Sequence, residues 1–457
     1  MRAIALIALA LLGGLSALAS SRGEESTKYL LRPALSPNEA AAVSVDLEVG
    51  GEMILRDEAE EKQLPMNVTG KLLFQEQLIA WSDSSDEASR SIRNYQTAKA
   101  TIQVDKKSLD RSLPVKKRVV VAELREGRGA MASSDSNLTR EEFDLLNVLG
   151  NSLVIDRLLP GREIAEGENW DHDKATIGAL LGMDHVAVCE VSSVITGQAH
   201  QQVQIRLAGT VHGTIDGAAT EIDLRGAYLF HQVRKRITKF NLAVKEKRAA
   251  GEVVPGLDVV AKVRLVVDKS TAGSFSDEQL QLASDLSEPL EKELLYSAAE
   301  HGYQFHYDPA WYVTAEQSDL LSLRCLQAGD LTAHCNLSTL PARSEGRHTT
   351  LEQFERDVRE SLGDNLESVS AATQWKTAQG HDCLGIIADG TFKKVPVQWR
   401  YYLISADGLP RVSLAVTLEQ SQIDRFADAD RQLVDSLQLI PKAASATAAK
   451  ARKQSAR

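Results

Sequence analysis

The 457-residue chain lacks the short motifs that announce common chemistry. It has no C-x-x-C, no H-E-x-x-H, no G-x-S-x-G elbow and no G-x-x-x-x-G-K-[ST] loop. That removes the simplest routes to a redox dithiol, a zinc hydrolase, a serine hydrolase and a phosphate cradle. Gly127-Arg128-Gly129 reads as loop, without the strand-to-helix setting of a dinucleotide fingerprint. Positive charge is not in excess: 52 Lys and Arg face 63 Asp and Glu, for a net charge of -11. A broad nucleic-acid surface is therefore not expected, because it needs clustered basic charge. Beyond the first 15 residues no run is apolar enough to span a bilayer. Cysteines number four, and none follows the apolar leader, so a lipid anchor is not indicated.

What is present starts with that leader. In "MRAIALIALALLGGLSALASSRGEES", Arg2 precedes an apolar run to about Leu15, and Ala17-Leu18-Ala19 is a small-x-small cleavage pattern. This reads as a signal peptide over 1–19, removed after Ala19. The mature protein is expected to be periplasmic or secreted, and not to span a membrane after cleavage. Residues 20–40 form a polar leader.

Alternating segments then predict strands at 41–55, 64–79, 90–104 and 116–124. "RGAMASSDSN" reads as a loop. "LTREEFDLLNVLGNSL" reads as a short helix, with Thr139 and Glu142 forming a capping box. "NSLVIDRLLPGREIAEGENW" reads as a strand and a loop, and "KATIGALLG" as a second short helix. From His185 to Lys269 long alternating segments with short turns predict an antiparallel meander, strongly curved or half-closed. A helix within 276–300 closes a β-rich domain assigned to 41–300. A second domain, 301–440, alternates strand pair, helix, several strands and helix, an α+β sandwich. A basic tail, 441–457, is expected to be disordered. The fold class is α+β: a curved meander or half-barrel with short helices, then an antiparallel sandwich.

The opening "YQFHYDPAWYV", then "VQWRYYLISADGLPRVSLAVT" and the closing "DRFADADRQLVDSLQL" resemble the PsbP/DcrB-like family of secreted and lumenal α/β sandwiches. In that family an aromatic strand, a turn and a second strand lead to a final helix ending near a Ser-hydrophobic pair, here Ser436-Leu437. The likeness spans about 140 residues and implies a fold rather than an activity. The stretch "LTREEFDLLNVLGNSLVIDRLLPGREIAEGENW" resembles a family of uncharacterised secreted bacterial proteins. Neither family supplies a catalytic residue.

Several residue groups offer chemistry and also admit a plainer reading. Asp171, His172 and Asp173, with Asp184 and His185 nearby, could ligate a metal, but neighbours on a chain seldom converge on one ion. Aspartate in a first helical turn favours the dipole instead. His200, His212 and His231 fall on separate strands with no spacing that gathers them. In "HQVRKRITKFNLAVKEKR", Arg234, Arg236 and Thr238 share one strand face, opposite Val233, Lys235 and Ile237. That face could bind anions, or simply stay solvated and protect an edge. Trp399, Tyr401 and Tyr402 could form a platform or pack on a sheet. No metal, cofactor or catalytic residue is assigned.

Cys325 and Cys335 bracket an Ala-Gly-Asp centre. A hairpin register centred on Asp330 sets them opposite each other on the face carrying Leu321, Leu323 and Leu337. An oxidising compartment then permits a disulfide between them. Free thiols, or a bridge from one of them to Cys383, are the rivals; Cys189 is left unpaired.

The expectation is an exported, non-catalytic binding or accessory protein of the bacterial cell envelope, with an unidentified envelope protein or apolar small molecule as partner. One alternative is a carrier holding a lipid or other apolar molecule on the concave face of the first sheet. Another is an enzyme whose site is assembled from scattered residues. An apolar cavity would favour the carrier, convergent carboxylates or histidines in a cleft the enzyme, and a filled core the accessory role.

Overall fold

The computed structural model describes residues 27–37, 39–56, 61–82, 87–133, 136–270, 275–285, 293–342 and 348–441. The expected signal peptide, its cleavage site and the tail from 442 lie outside the described residues. The protein is mostly β, with large antiparallel sheets and a few helices.

After β1 (Lys28–Leu30) come β2 (Ala40–Arg56), β3 (Glu61–Ala80), β4 (Ser89–Val104), β5 (Lys107–Ser112), β6 (Val119–Arg125) and β7 (Arg128–Ser133). Two helices follow, α1 (Arg140–Leu146) and α2 (Ser152–Ile155). The short strands β8 (Glu163–Ala165) and β9 (Asn169–Asp171) lead to α3 (Lys174–Leu181). The meander is β10 (His185–Ala199), β11 (Gln202–Ile215), β12 (Ala218–His231), β13 (Arg236–Arg248) and β14 (Gly256–Lys269), and α4 (Asp277–Asp285) follows it. One sheet of 12 strands results, in the order β7-β6-β4-β3-β2-β14-β13-β12-β11-β10-β9, with β5 beside β4. The pairing of β2 with β14, from Ala41 opposite Lys269 to Ile54 opposite Gly256, joins the two halves.

This sheet has to curl. Eleven strands at about 4.8 Å spacing would lie roughly 50 Å across if flat. The longest helix on its inner face, α3, is 8 residues, about 12 Å. Yet Val120 and Leu124 of β6, Val191 and Ile195 of β10, and Phe143, Leu153 and Ile177 of the three helices belong to one buried cluster. The inner face wraps the helices. Thr139 caps α1 as expected: its hydroxyl accepts the Glu142 N–H, and the Glu142 carboxylate accepts the Thr139 N–H.

Three expectations are corrected here. The segment 128–133, expected as loop, is the edge strand β7. The stretch 152–155 is helix rather than strand; Ser152, Leu153, Val154 and Ile155 are all buried, so no periodicity marks it. Among its described residues the 276–300 segment is helical over Asp277–Asp285, which packs on the outer face, and strand over Leu294–Ala298; Leu286 and Leu290 lie outside the described residues. Ala283 and Leu280 of α4 meet Ile92, Val121 and Ala130. α4 therefore lies away from the inner apolar face.

The second unit begins with β15 (Leu294–Ala298) and β16 (Tyr303–Tyr307), which pair with each other across residue 300. Then come β17 (Trp311–Glu316), β18 (Leu320–Gln327), β19 (Asp330–Leu340), α5 (Leu351–Leu362), β20 (Leu366–Lys376), β21 (Asp382–Phe392), β22 (Val395–Ser405) and β23 (Arg411–Glu419). α6 (Ile423–Phe426), α7 (Ala429–Ser436) and β24 (Gln438–Leu439) close the chain. The seven-stranded sheet runs β17-β18-β19-β23-β22-β21-β20. α5 buries Phe354, Val358 and Leu362 against Ile386, Trp399 and Leu403. The opposite face carries Tyr402, Ile404, Leu414 and Val416, in the cluster that holds Leu433 and Val434 of α7. Both faces of this sheet are thus covered.

Candidate functional site

The inner face of the first sheet is not covered along its full length. Near the helices Val43, Val45, Leu72 and Phe74 are buried. Further along β2 and β3, Leu47, Val49, Met66 and Val68 are only half-buried, as is Ile102 on β4. Strands of 17 and 20 residues extend well past helices of 4 to 8. Where the helices stop, a hollow of about 290 Å³ remains. Val45, Leu47, Val68, Leu72 and Ile102 line it from the sheet, and Leu145 and Val148 from α1 and the residues after it. Gly70 lies in this wall, opposite Leu47 on β2 and Ala100 on β4. Its backbone is not left-handed, and a Cβ placed on it would meet Leu47 at an ordinary 3.4 Å. Backbone conformation therefore does not demand glycine here. The missing side chain is what leaves the space open.

Leu47, Val68, Asp144 and Val148 also wall a second hollow of about 590 Å³. Its far side is built by the second unit, through Pro309, Tyr312, Leu326 and Gly329. Gly217, in the turn between β11 and β12, has φ +71, and a Cβ there would lie 2.7 Å from the Gly329 carbonyl oxygen. Glycine lets the two units close on each other at that point.

Charges gather at this junction. The Tyr312 hydroxyl donates to Asp216 Oδ1 at 2.6 Å, and Arg248 lies 3.7 Å from the other oxygen of Asp216 and 2.7 Å from Glu246. Arg140 stacks on the Tyr312 ring at 4.4 Å and donates to the carbonyls of Pro309 and Trp311. The Gly217 N–H donates to Asp184 at 3.0 Å. Asp144 touches solvent on one side and the hollow's walls on the other. Desolvation pushes its carboxyl up to about 6, against the pull of Arg140 and with the push of Asp216. Of these carboxylates only Asp216 reaches across to the second unit, through Tyr312, whereas Asp184 and Glu246 are tied to Gly217 and Arg248 within the first.

Behind the hollow a buried polar network fixes α2 to the sheet. Glu76 Oε1 accepts from Ser91 at 2.9 Å, Arg93 at 2.9 Å and Ser152 at 2.8 Å. Arg93 also donates to Asn151 at 2.6 Å. Glu76 stands at an inward position between Phe74 and Leu78, and only that polar residue at a core parity marks it in the sequence. Sequence reasoning missed it, together with Arg93, Asp156 and Gly70.

Asp156 has no exposed surface; it accepts the Ile237 N–H at 2.6 Å and lies 3.6 Å from Arg236. Burial, partly countered by Arg236, pushes its carboxyl up to about 6. A raised native pKa means the folded state takes up a proton that the unfolded state releases between roughly pH 4 and pH 6. This group's contribution to stability is full below that window and declines as pH rises through it. Asp156→Asn should flatten the slope of urea midpoint against pH between 4 and 7. An identical slope in the variant would exclude this assignment.

The residues singled out by sequence land apart. Asp173 caps α3, accepting from the Thr176 N–H at 2.7 Å. His172 bonds Ser193 at 2.8 Å, and burial pushes its ring down to about 4. Among the described residues no group of three or more metal-binding side chains converges. His200 sits in the β10–β11 turn and His231 at the same end, opposite Gln202, while His212 lies near the other end opposite Glu221. The strip expected on one strand is broken, because residues 232–235 form a turn in which Lys235 takes φ +48. Arg236 then enters the core, 1% exposed, rather than joining a solvated face. Trp399 and Tyr401 face α5, whereas Tyr402 faces Asp430 on the other side at 2.6 Å. The three therefore form no common platform.

The cysteine register also differs from expectation. The hairpin turns at Ala328-Gly329, with φ +50 and +86, and a bulge follows Cys325. Cys325 faces Ala333, and Cys335 faces Leu323. Cys189, Cys325, Cys335 and Cys383 all carry free thiols. Burial pushes Cys325 up to about 11 and raises Cys335 and Cys383 too, which leaves them as unreactive packing groups. Thiol titration of the unfolded, unreduced protein should count four.

No protein-family profile and no curated protein matches the chain. Solved structures match it in part. A Bacteroides thetaiotaomicron protein covers 32% of it at 9% identity and a TM-score of 0.25, and the chain spans only 48% of that protein. The cyanobacterial PsbP (CyanoP) of Synechocystis covers 32% at 12% identity and 0.25, with 92% of its own length matched. A Pseudomonas aeruginosa protein of unknown function, PA94, covers 33% at 14% identity and 0.23, with 99% matched.

Proposed function

We propose that the protein is an exported carrier that holds a lipid or other apolar molecule against the concave face of its first sheet. The observation that carries this reading is the hollow under Gly70, lined mainly by aliphatic side chains with Lys71, Lys99, Arg111, Glu141 and Asp144 beside them, and left open where the helices end. A filled core would have favoured the accessory role. The four carboxylates of the second hollow, Asp144, Asp184, Asp216 and Glu246, meet one geometric condition for an enzyme, yet Asp184, Asp216 and Glu246 are already engaged by Gly217, Tyr312 and Arg248. We take the second unit to be a PsbP/DcrB-like sandwich, on the resemblance of its opening, central and closing sequence stretches, and assign it the role of a wall and lid.

The test is titration of the mature protein with N-phenyl-1-naphthylamine, an uncharged apolar fluorophore. Tight binding by a cooperatively folded sample is expected. A ligand at a hundredfold excess over its Kd stabilises by about 2.7 kcal/mol, so the melting temperature of a chain this long should rise by roughly 3–5 °C. A well-folded sample that binds no probe would remove the carrier reading and return the accessory one.

A further inference from the structure

The outer face of the meander carries a third hollow, chemically opposite to the one under Gly70. It has a volume of about 940 Å³ and lies over β11 to β14, with an outlying wall on β2. Strand register orders its residues in two rows. One row runs Asp46, Arg264, Asn241, Ala227, Arg206; the next runs Glu48, Lys262, Ala243, Arg225, Ala208. Small side chains make the floor, and Arg206, Arg225, Lys262 and Arg264 rise around it, all exposed. None of these four cations has an ion pair or a side-chain hydrogen bond among the described residues. Asp46, the acid opposite Arg264, is paired with Lys71 at 3.5 Å instead. Glu48, opposite Lys262, also lines the hollow without an ion pair among the described residues, so four unpaired cations stand against one unpaired carboxylate there, on a chain of net charge -11.

We infer that this hollow is a binding site for a small polyanion bearing two or more phosphate groups. Strands lie about 4.8 Å apart, and same-face residues along a strand about 7 Å apart. The Arg225 and Lys262 backbones are thus roughly 10 Å apart, and those of Arg206 and Arg264 roughly 14 Å. A single phosphate reaches only one or two of them, whereas a ligand with separated phosphates engages all four. Three are arginines, whose planar forks match phosphate oxygens bidentately. The alanine floor admits the body of the ligand without clash. A concave site of this size suits a discrete molecule rather than a flat bilayer. The inference is independent of the carrier reading, since it concerns the opposite face of the sheet.

The experiment measures binding of short-chain inorganic polyphosphate to the full-length protein by calorimetry at low salt. Binding in the micromolar range is expected, falling at 0.5 M salt, where the screening length drops to a few ångström, about 4 Å. Arg225→Ala with Arg264→Ala should weaken it at least tenfold. Lys239→Ala with Lys247→Ala removes two exposed cations of the same face outside the hollow and should change it less than threefold. Melting curves establish that both variants remain folded. Sedimentation with phosphatidylglycerol vesicles is the second arm. Vesicle binding without polyphosphate binding, equal losses in both double variants, or no polyphosphate binding below millimolar concentration would each overturn the assignment.

Discussion

Gly70→Phe is expected to weaken binding of an uncharged apolar probe by about fiftyfold while the protein stays folded. The ring would project from β3 into the space between Leu47, Ala100 and Leu145, which is the space a ligand needs. Each buried methylene contributes about 0.8 kcal/mol. Excluding three of them costs roughly 2.4 kcal/mol, which is the fiftyfold. The backbone at Gly70 tolerates a side chain, and a strand glycine is entropically costly by about 0.5–1 kcal/mol relative to Ala. Overpacking works against that gain by about 1–3 kcal/mol. The net change in stability should therefore be small. Thr69→Phe is the control. Its side chain points from the same strand to the outer face, so equal bulk there should leave binding intact. If both variants lost binding, general disturbance of β3 would explain the result and the hollow would not be the site.

Why this space was only half legible in the sequence follows from particular residues. The mismatch between long strands and short helices was readable, because alternation at 41–55 and 64–79 and the cap at Thr139 are local signals. Which element covers the surplus is a tertiary matter. α4 packs on the outer face, where Ile92 and Val121 are apolar as well. A period-two pattern does not distinguish the two faces when both carry aliphatics. The same limit hid α2, whose four residues are buried all round. Turn placement failed for a different reason. Lys235 and Ala328 adopt left-handed φ without being glycine, so the breaks at 232–235 and 328–329 change the register unseen. That moved Arg236 into the core and set Cys325 and Cys335 two residues apart along the ladder, on the same face.

Glu76→Ala is expected to cost about 3–5 kcal/mol, the usual consequence of stranding a buried charge. Arg93 is 3% exposed and its nearest carboxylate is Glu76 at 2.9 Å. Removing that carboxylate also leaves Ser91 and Ser152 without their acceptor. Against a typical total of about 5–15 kcal/mol, this single change should bring the urea midpoint down by a large fraction. The desolvation penalty is the cause, so the sign should depend on which partner remains. Glu76→Gln keeps an acceptor but not the charge, and should fall between. Glu76→Leu combined with Arg93→Met removes both charges and restores apolar volume, and should recover most of the loss. The network also fixes Asn151 and Ser152 at the start of α2, and α1, one wall of the hollow, ends five residues earlier. Glu76→Ala should therefore weaken probe binding in the fraction that stays folded, and the double variant should restore it with stability. If the double variant were as unstable as Glu76→Ala, lost geometry rather than an unpaired Arg93 charge would be the main cause of the destabilisation.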